Sequence, residues 1–157
     1  MPLANNIRKP RVFFDSSALF AAIFSAAGGA RMILRLAESE AVELVVSSQV
    51  LAEVEGALRR KAPEMLGHLA QLFDRAHCRV IANPSLEQVK AWQPVISYLP
   101  DAAVLAAALA ARADYLVTLD RQHFLENPHL MTSPPLPLGT PGDFLSWLRD
   151  RLDAAMA

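Results

Sequence analysis

At 157 residues and a net charge of −1, the chain has the length of one folding domain and no global attraction to nucleic acid or to an anionic membrane. Hydrophobic residues make up 53% and charged residues 20%, which excludes disorder, and the most apolar runs are too short to span a bilayer. The single cysteine, Cys78, excludes an internal disulfide and a cysteine-based zinc cluster, and is expected to pack as a small hydrophobe.

Residues 1–10 are expected to form a flexible leader ending at Pro10. Arg8 and Lys9 have no apolar core behind them, so this is no signal peptide, and a cytoplasmic protein without membrane attachment is the expectation. Val12-Phe13-Phe14 reads as a short buried strand, and Asp15 arrives where it ends, before Ser16-Ser17, which suit a turn into a helix. An apolar helix over 18–24 breaks at Gly28-Gly29, and a second follows over 30–39. Residues 42–46 are strand-like, and Ser47-Ser48 offer an N-cap to a helix over 49–60.

On that helix Val50, Leu51, Val54, Ala57 and Leu58 define one buried face. Glu53 and Glu55 flank it, each about 100° from its centre, so periodicity leaves open which of them faces the rest of the domain. Arg59-Arg60-Lys61, the one dense basic run, fits the solvated end of this helix better than a substrate-contacting patch. A helix from Pro63, a strand over 78–81 and a turn at Asn83-Pro84 come next, whereas residues 86–99 show no clear period. The helix over 102–112 is apolar all round, which places it against a sheet or a second subunit. Residues 115–119 form a strand that also ends in an aspartate, Asp120. A short helix over 121–125, a last strand over 130–132, a proline- and glycine-rich loop over 133–142 and an amphipathic helix over 144–156 complete the chain.

Strands alternating with helices predict a three-layer α/β/α sandwich around a mostly parallel sheet, with residues 11–157 as one domain. In such a sheet Asp15 and Asp120 leave at the same edge, with backbones about 4.8 Å apart if their strands are neighbours. That edge is where doubly wound folds bind ligands. Asp101, opening the apolar helix, and Glu53, one turn into the helix after the second strand, fall on the same side. Four close carboxylates repel one another unless a divalent cation holds them together, and oxygen-only ligation favours Mg2+ or Mn2+ over zinc. Such a cation can activate water and stabilise a phosphodiester under attack. Each acid also has a plainer reading: Asp15 and Asp120 as turn residues, Asp101 as an N-cap, Glu53 as a solvated helix residue. Asp114 precedes its strand and belongs to the opposite end of the sheet. His123 reads as an exposed polar residue rather than a ligand.

Four segments together carry a resemblance: Val12-Phe13-Phe14-Asp15-Ser16-Ser17, Ser48-Gln49-Val50-Leu51-Ala52-Glu53, the run from Asp101 to Ala108, and the run from Ala113 to Asp120. In order and spacing, from Arg11 to Leu148, the chain resembles a PIN domain. The resemblance implies a five-stranded sheet of order 3-2-1-4-5 and a Mg2+- or Mn2+-dependent ribonuclease. It also implies the toxin of a toxin–antitoxin pair, with RNA as substrate, a cognate antitoxin as partner and a homodimer as a common state. The family's acids fall on Asp15, Glu53, Asp101 and Asp120, which selects Glu53 over Glu55, and Thr118 matches a hydroxyl two residues before the last acid. The chain departs from the pattern twice. Ser17 stands where Asn is frequent, and Arg121-Gln122-His123 supplies no acid or Asn after Asp120.

Two other functions compete with a nuclease. A catalytically weak PIN-like module that binds RNA or protein is compatible with the near-neutral charge and the missing acid. A metal-dependent phosphatase on a related sheet lacks its strand-end Asp-x-Asp, because Ser17 stands two residues after Asp15.

Overall fold

Val12, Phe13 and Phe14 have no exposed surface because β1 (Arg11–Phe14) is the middle strand of a sheet covered on both faces. The computed structural model describes residues 8–157; the first seven positions of the expected leader lie outside the described residues. β2 (Glu43–Ser47) and β4 (Tyr115–Val117) flank β1, with β3 (Arg79–Ile81) and β5 (Leu138–Gly139) outside them. Every pairing is parallel, so the order is 3-2-1-4-5, and the three-layer α/β architecture is as the sequence predicts. Strand order reverses between β1 and β4, where Phe14 pairs with Val117.

Between β1 and β2 run α1 (Ser16–Phe24) and α2 (Gly29–Glu38), and between β2 and β3 run α3 (Ser48–Lys61), a 3-10 turn at Pro63–Met65 and α4 (Leu66–Arg75). Ser47 caps α3, its Oγ accepting the Val50 amide at 3.2 Å. Arg59, Arg60 and Lys61 form the last turn of α3. Cys78 packs beside the core, and burial pushes its thiol up to about 12, out of reach of thiolate chemistry at neutral pH.

After β3 come α5 (Leu86–Lys90) and α6 (Leu99–Ala110), which return the chain across the sheet to β4. Residues 102–108 of α6 are all buried within the one chain, so the sheet and α5 cover this apolar helix without a second copy.

Two expected elements are corrected beyond β4. Residues 130–132 belong to a helix, α7 (Pro128–Thr132), capped by Asn127, whose Oδ1 accepts the His129 and Leu130 amides. The last strand, β5, lies instead within the segment expected to be a loop. Its pairing uses neighbouring backbone: Leu116 N donates to Pro137 O at 2.9 Å and Thr118 N to Gly139 O at 2.9 Å. α8 (Pro141–Met156) closes the chain behind a Thr140–Asp143 capping box and packs on α2.

The two ends of the sheet differ in their use of charge. At the amino ends Arg8 meets Asp114 at 2.6 Å, and the Arg11 amide donates to the same carboxylate at 2.7 Å, which keeps Asp114 away from the other acids as expected. Glu43 there is partly buried, yet the Arg11 and Arg79 guanidiniums hold its carboxyl below the usual range. No single helix among the described residues is long and apolar enough to cross a membrane.

Candidate active site

The site begins with Asp15, which leaves β1 at its carboxyl end and is 4% exposed. Its Oδ1 caps α1 by accepting the Ala18 amide at 2.9 Å, and it also accepts from Ser17 Oγ at 2.6 Å. Its Oδ2 accepts the hydroxyl of Thr118, itself wholly buried at the end of β4. Each hydroxyl faces two ways. Ser17 Oγ accepts the Leu119 amide at 2.9 Å, and Thr118 Oγ1 accepts the Asp120 amide at 3.0 Å. The loop that carries Asp120 is thereby tied to Asp15 through two side chains. Burial raises the Asp15 pKa, the three hydrogen bonds oppose that rise, and the Asp120 charge adds to it.

Asp101 reaches the same edge from the first turn of α6. It is not the N-cap: Tyr98 holds that position without a side-chain hydrogen bond, and Pro100 occupies the turn ahead of Asp101. The pKa of Asp101 is raised to about 6, mainly by burial and then by the Asp120 charge, with smaller contributions from Asp15 and Glu53 and an opposing one from His123. Asp15, Asp101 and Asp120 are therefore brought within electrostatic reach of one another, and Glu53 lies at the margin.

Glu53 is exposed on α3. Gln49 Nε2 donates to its Oε1 at 3.0 Å and to Pro100 O at 3.1 Å, which links α3 to the start of α6. Together with Asn83, Leu99 and Ala103 these residues line an open cleft of about 400 Å³ beside the acids. Glu55 turns away to Arg59 at 3.0 Å. The geometry thus separates two glutamates that periodicity alone left equivalent.

His123 belongs to the site, contrary to its reading as an exposed polar residue. After Asp120 the chain makes one π-helical turn over Arg121–Leu125, with Leu125 N donating to Asp120 O at 3.1 Å and Glu126 N to Arg121 O at 2.7 Å. The turn brings the His123 amide onto Asp120 Oδ1 at 3.1 Å and its ring back over the carboxylates. Nδ1 stands 2.6 Å from Asp101 Oδ2 and 3.2 Å from Asp120 Oδ2. Asp101 Oδ2 is shut off from solvent, and this imidazole nitrogen lies against it. The Asp-x-x-His spacing is the one sequence signal that could have identified this residue.

A buried carboxylate oxygen without a hydrogen bond is costly, and a cation relieves it. Asp101, Asp120 and His123 each offer an atom within 4.8 Å of the others, a donor set that fits a divalent ion. An imidazole nitrogen thus stands beside the carboxylates that the sequence places at this edge.

A family model described as a PIN domain matches residues 11–122. The chain belongs to the PIN domain family. No curated protein matches its sequence. Among solved structures this PIN domain is similar to PAE2754 from Pyrobaculum aerophilum, at 19% identity over 90% of this chain and 96% of that one, with a TM-score of 0.63. It is similar to VapBC2 from Rickettsia felis, determined bound to a DNA fragment from their promoter, at 18% identity over 83% and 98%, TM-score 0.60. VapC20 of Mycobacterium tuberculosis, a toxin that cleaves the sarcin-ricin loop, matches at 19% identity over 71% and 92%, TM-score 0.53. At these identities the likenesses show the fold.

Proposed function

We propose that this PIN domain is a metal-dependent endoribonuclease using Mg2+ or Mn2+, and that it is the toxin of a toxin–antitoxin pair. One observation carries the reading: Asp101, Asp120 and His123 bring three donor atoms within 4.8 Å of one another at the strand-order switch. Asp101 and Asp120 would hold the cation, with Asp15 behind them and Glu53 at the lip of the cleft, directly or through water. When bound, such a cation generates a nucleophilic water at neutral pH and offsets charge growing on a phosphodiester.

The chain's own residues supply position. Asp15, through Ser17 and Thr118, fixes the backbone at Leu119 and Asp120. Gln49 holds the Glu53 carboxylate against the start of α6. With a net charge of −1 the protein has no general affinity for RNA, so attraction of phosphates must be local, as a bound cation provides. The toxin role, with a cognate antitoxin, a second copy as partner and action in the cytoplasm, is supported by family membership. The solved structures of VapBC2 and VapC20 add to that support.

The experiment is incubation of purified protein with unstructured and hairpin RNA in Mn2+, beside Asp120→Asn. Cleavage by the wild type that is lost in the variant is expected. Equal cleavage by both proteins would overturn the assignment.

A further inference from the structure

The group that closes the carboxylate cluster is a nitrogen base. From Arg121 to Leu125 the chain offers no carboxylate, and the π-helical turn delivers imidazole instead. π-Helical insertions of this kind recur at functional sites. We propose that His123 is a direct nitrogen ligand of the cation and shifts the site's preference from Mg2+ toward Mn2+. This inference rests on the metal-dependent reading above and goes beyond it in naming the ligand and the selectivity.

The orientation of the ring is set by groups outside the cluster. The Tyr98 ring stacks on His123 with centroids 4.9 Å apart and planes inclined by 16°. The His123 carbonyl accepts from Asn127 Nδ2 at 3.2 Å, which anchors the end of the turn. The imidazole is therefore held in place from behind while Nδ1 points between two carboxylates. Nδ1 lies 2.6 Å from Asp101 Oδ2 and 3.2 Å from Asp120 Oδ2. As a ligand Nδ1 would carry no hydrogen and Nε2 would hold the ring N–H, the arrangement ordinary for a ligating neutral histidine.

Chemistry sets the direction of the preference. Mg2+ takes oxygen ligands in near-ideal octahedral geometry and keeps its water, whereas Mn2+, which shares its liking for carboxylates, belongs to the first-row transition series whose members accept imidazole nitrogen. Replacing an oxygen donor by imidazole costs Mg2+ more than Mn2+. The competing role for His123 is that of a counter-ion, an imidazolium lying between Asp101 and Asp120 that leaves when metal binds.

Pulsed electron paramagnetic resonance of the full chain loaded with Mn2+ separates these roles. A 14N coupling from a directly bound imidazole is expected in the wild type and is expected to vanish in His123→Asp and His123→Ala. In a competition read from the free Mn2+ signal, the Mg2+ needed to displace half the bound Mn2+ should fall on the order of tenfold in His123→Asp relative to the wild type. Mn2+ bound without 14N coupling, with competition unchanged in the variant, overturns the ligand role and leaves the metal-dependent reading standing. A wild-type protein that binds no Mn2+ overturns both. The wild-type spectrum decides the ligand role even if a variant folds poorly.

Discussion

Ser17 Oγ donates to Asp15 Oδ1 at 2.6 Å while accepting the Leu119 amide at 2.9 Å, so one small hydroxyl joins the end of β1 to the loop leaving β4. Thr118 makes the parallel connection from Asp15 Oδ2 to the Asp120 amide. A serine in place of the family's frequent asparagine is thus fully used: it is short enough to sit between the strand ends and bond to both.

The two hydroxyls are unequal in cost. Thr118 is wholly buried, so Thr118→Val keeps shape but strands Asp15 Oδ2 and the Asp120 amide, an expected loss of about 2 kcal/mol. Ser17 is half-buried and water can substitute for it, so Ser17→Ala should cost about 1 kcal/mol. Urea denaturation of the metal-free proteins checks both values, and an equal cost for the two would refute the ordering.

Asp101 makes metal-free stability depend on pH in a definite direction. Its carboxyl titrates at about 6 in the folded chain against 3.8 for the ordinary group, so between these values the folded state binds more protons than the unfolded one. Stability from this group is then highest below the unfolded value, falls as pH rises through the interval and is level above about 6. After allowance for solvent screening the fall is on the order of 1–2 kcal/mol. Asp101→Asn should remove it. In EDTA the variant is expected to gain on the wild type between pH 4 and pH 7, and a difference independent of pH would sink the assignment.

Legibility followed how much of an element's stability comes from its own residues. β1 is an apolar run followed at once by Asp15, and β4 stops at Val117, two residues short of the expected strand, with Asp120 in the loop beyond; both strands and their acids are still legible directly. β5 could not, because it is two residues in a proline-rich segment and exists through backbone pairing with β4. Residues 130–132 have the composition of a strand, but Asn127 and Pro128 before them are helix-start signals that outweigh three apolar side chains. Asp15 and Asp120 were placed by strand direction alone. His123 escaped because a single i→i+5 turn, with no periodicity to announce it, decides where its ring lies.

Gly139 occupies a position with no room for a side chain. A Cβ there would lie 2.6 Å from the Tyr115 hydroxyl oxygen, 2.8 Å from Asp143 Cβ and 2.9 Å from Asp143 Oδ2. Asp143 cannot swing aside without breaking the α8 capping box, in which its Oδ2 accepts the Thr140 amide at 2.9 Å. Gly139→Ala is expected to cost about 1–3 kcal/mol by overpacking. Tyr115→Phe removes the nearest of these atoms, so the double variant should be less destabilised than the sum of the singles. Strict additivity in chemical denaturation would show that the tyrosine contact is not the cause.

Glu53 offers a test of where the site ends. Its carboxylate is exposed and bonded to Gln49, and its charge contributes to the raised pKa of Asp101, whereas Glu55 on the same helix pairs with Arg59. Glu53→Gln should therefore leave stability within about 0.5 kcal/mol of the wild type, as for an ordinary surface change. It should at the same time lower the pKa of Asp101, because one repelling charge is gone. Glu55→Gln should leave that pKa unmoved and cost no more than a weak surface pair. A carbon-detected NMR titration of the Asp101 carboxyl in the metal-free protein reads the shift directly. If Glu53→Gln leaves that titration unmoved, or Glu55→Gln moves it as far, Glu53 does not belong to the electrostatic unit formed by Asp15, Asp101 and Asp120. The expected asymmetry would set the lip of the cleft at Gln49 and Glu53, the face of α3 that Gln49 ties to Pro100.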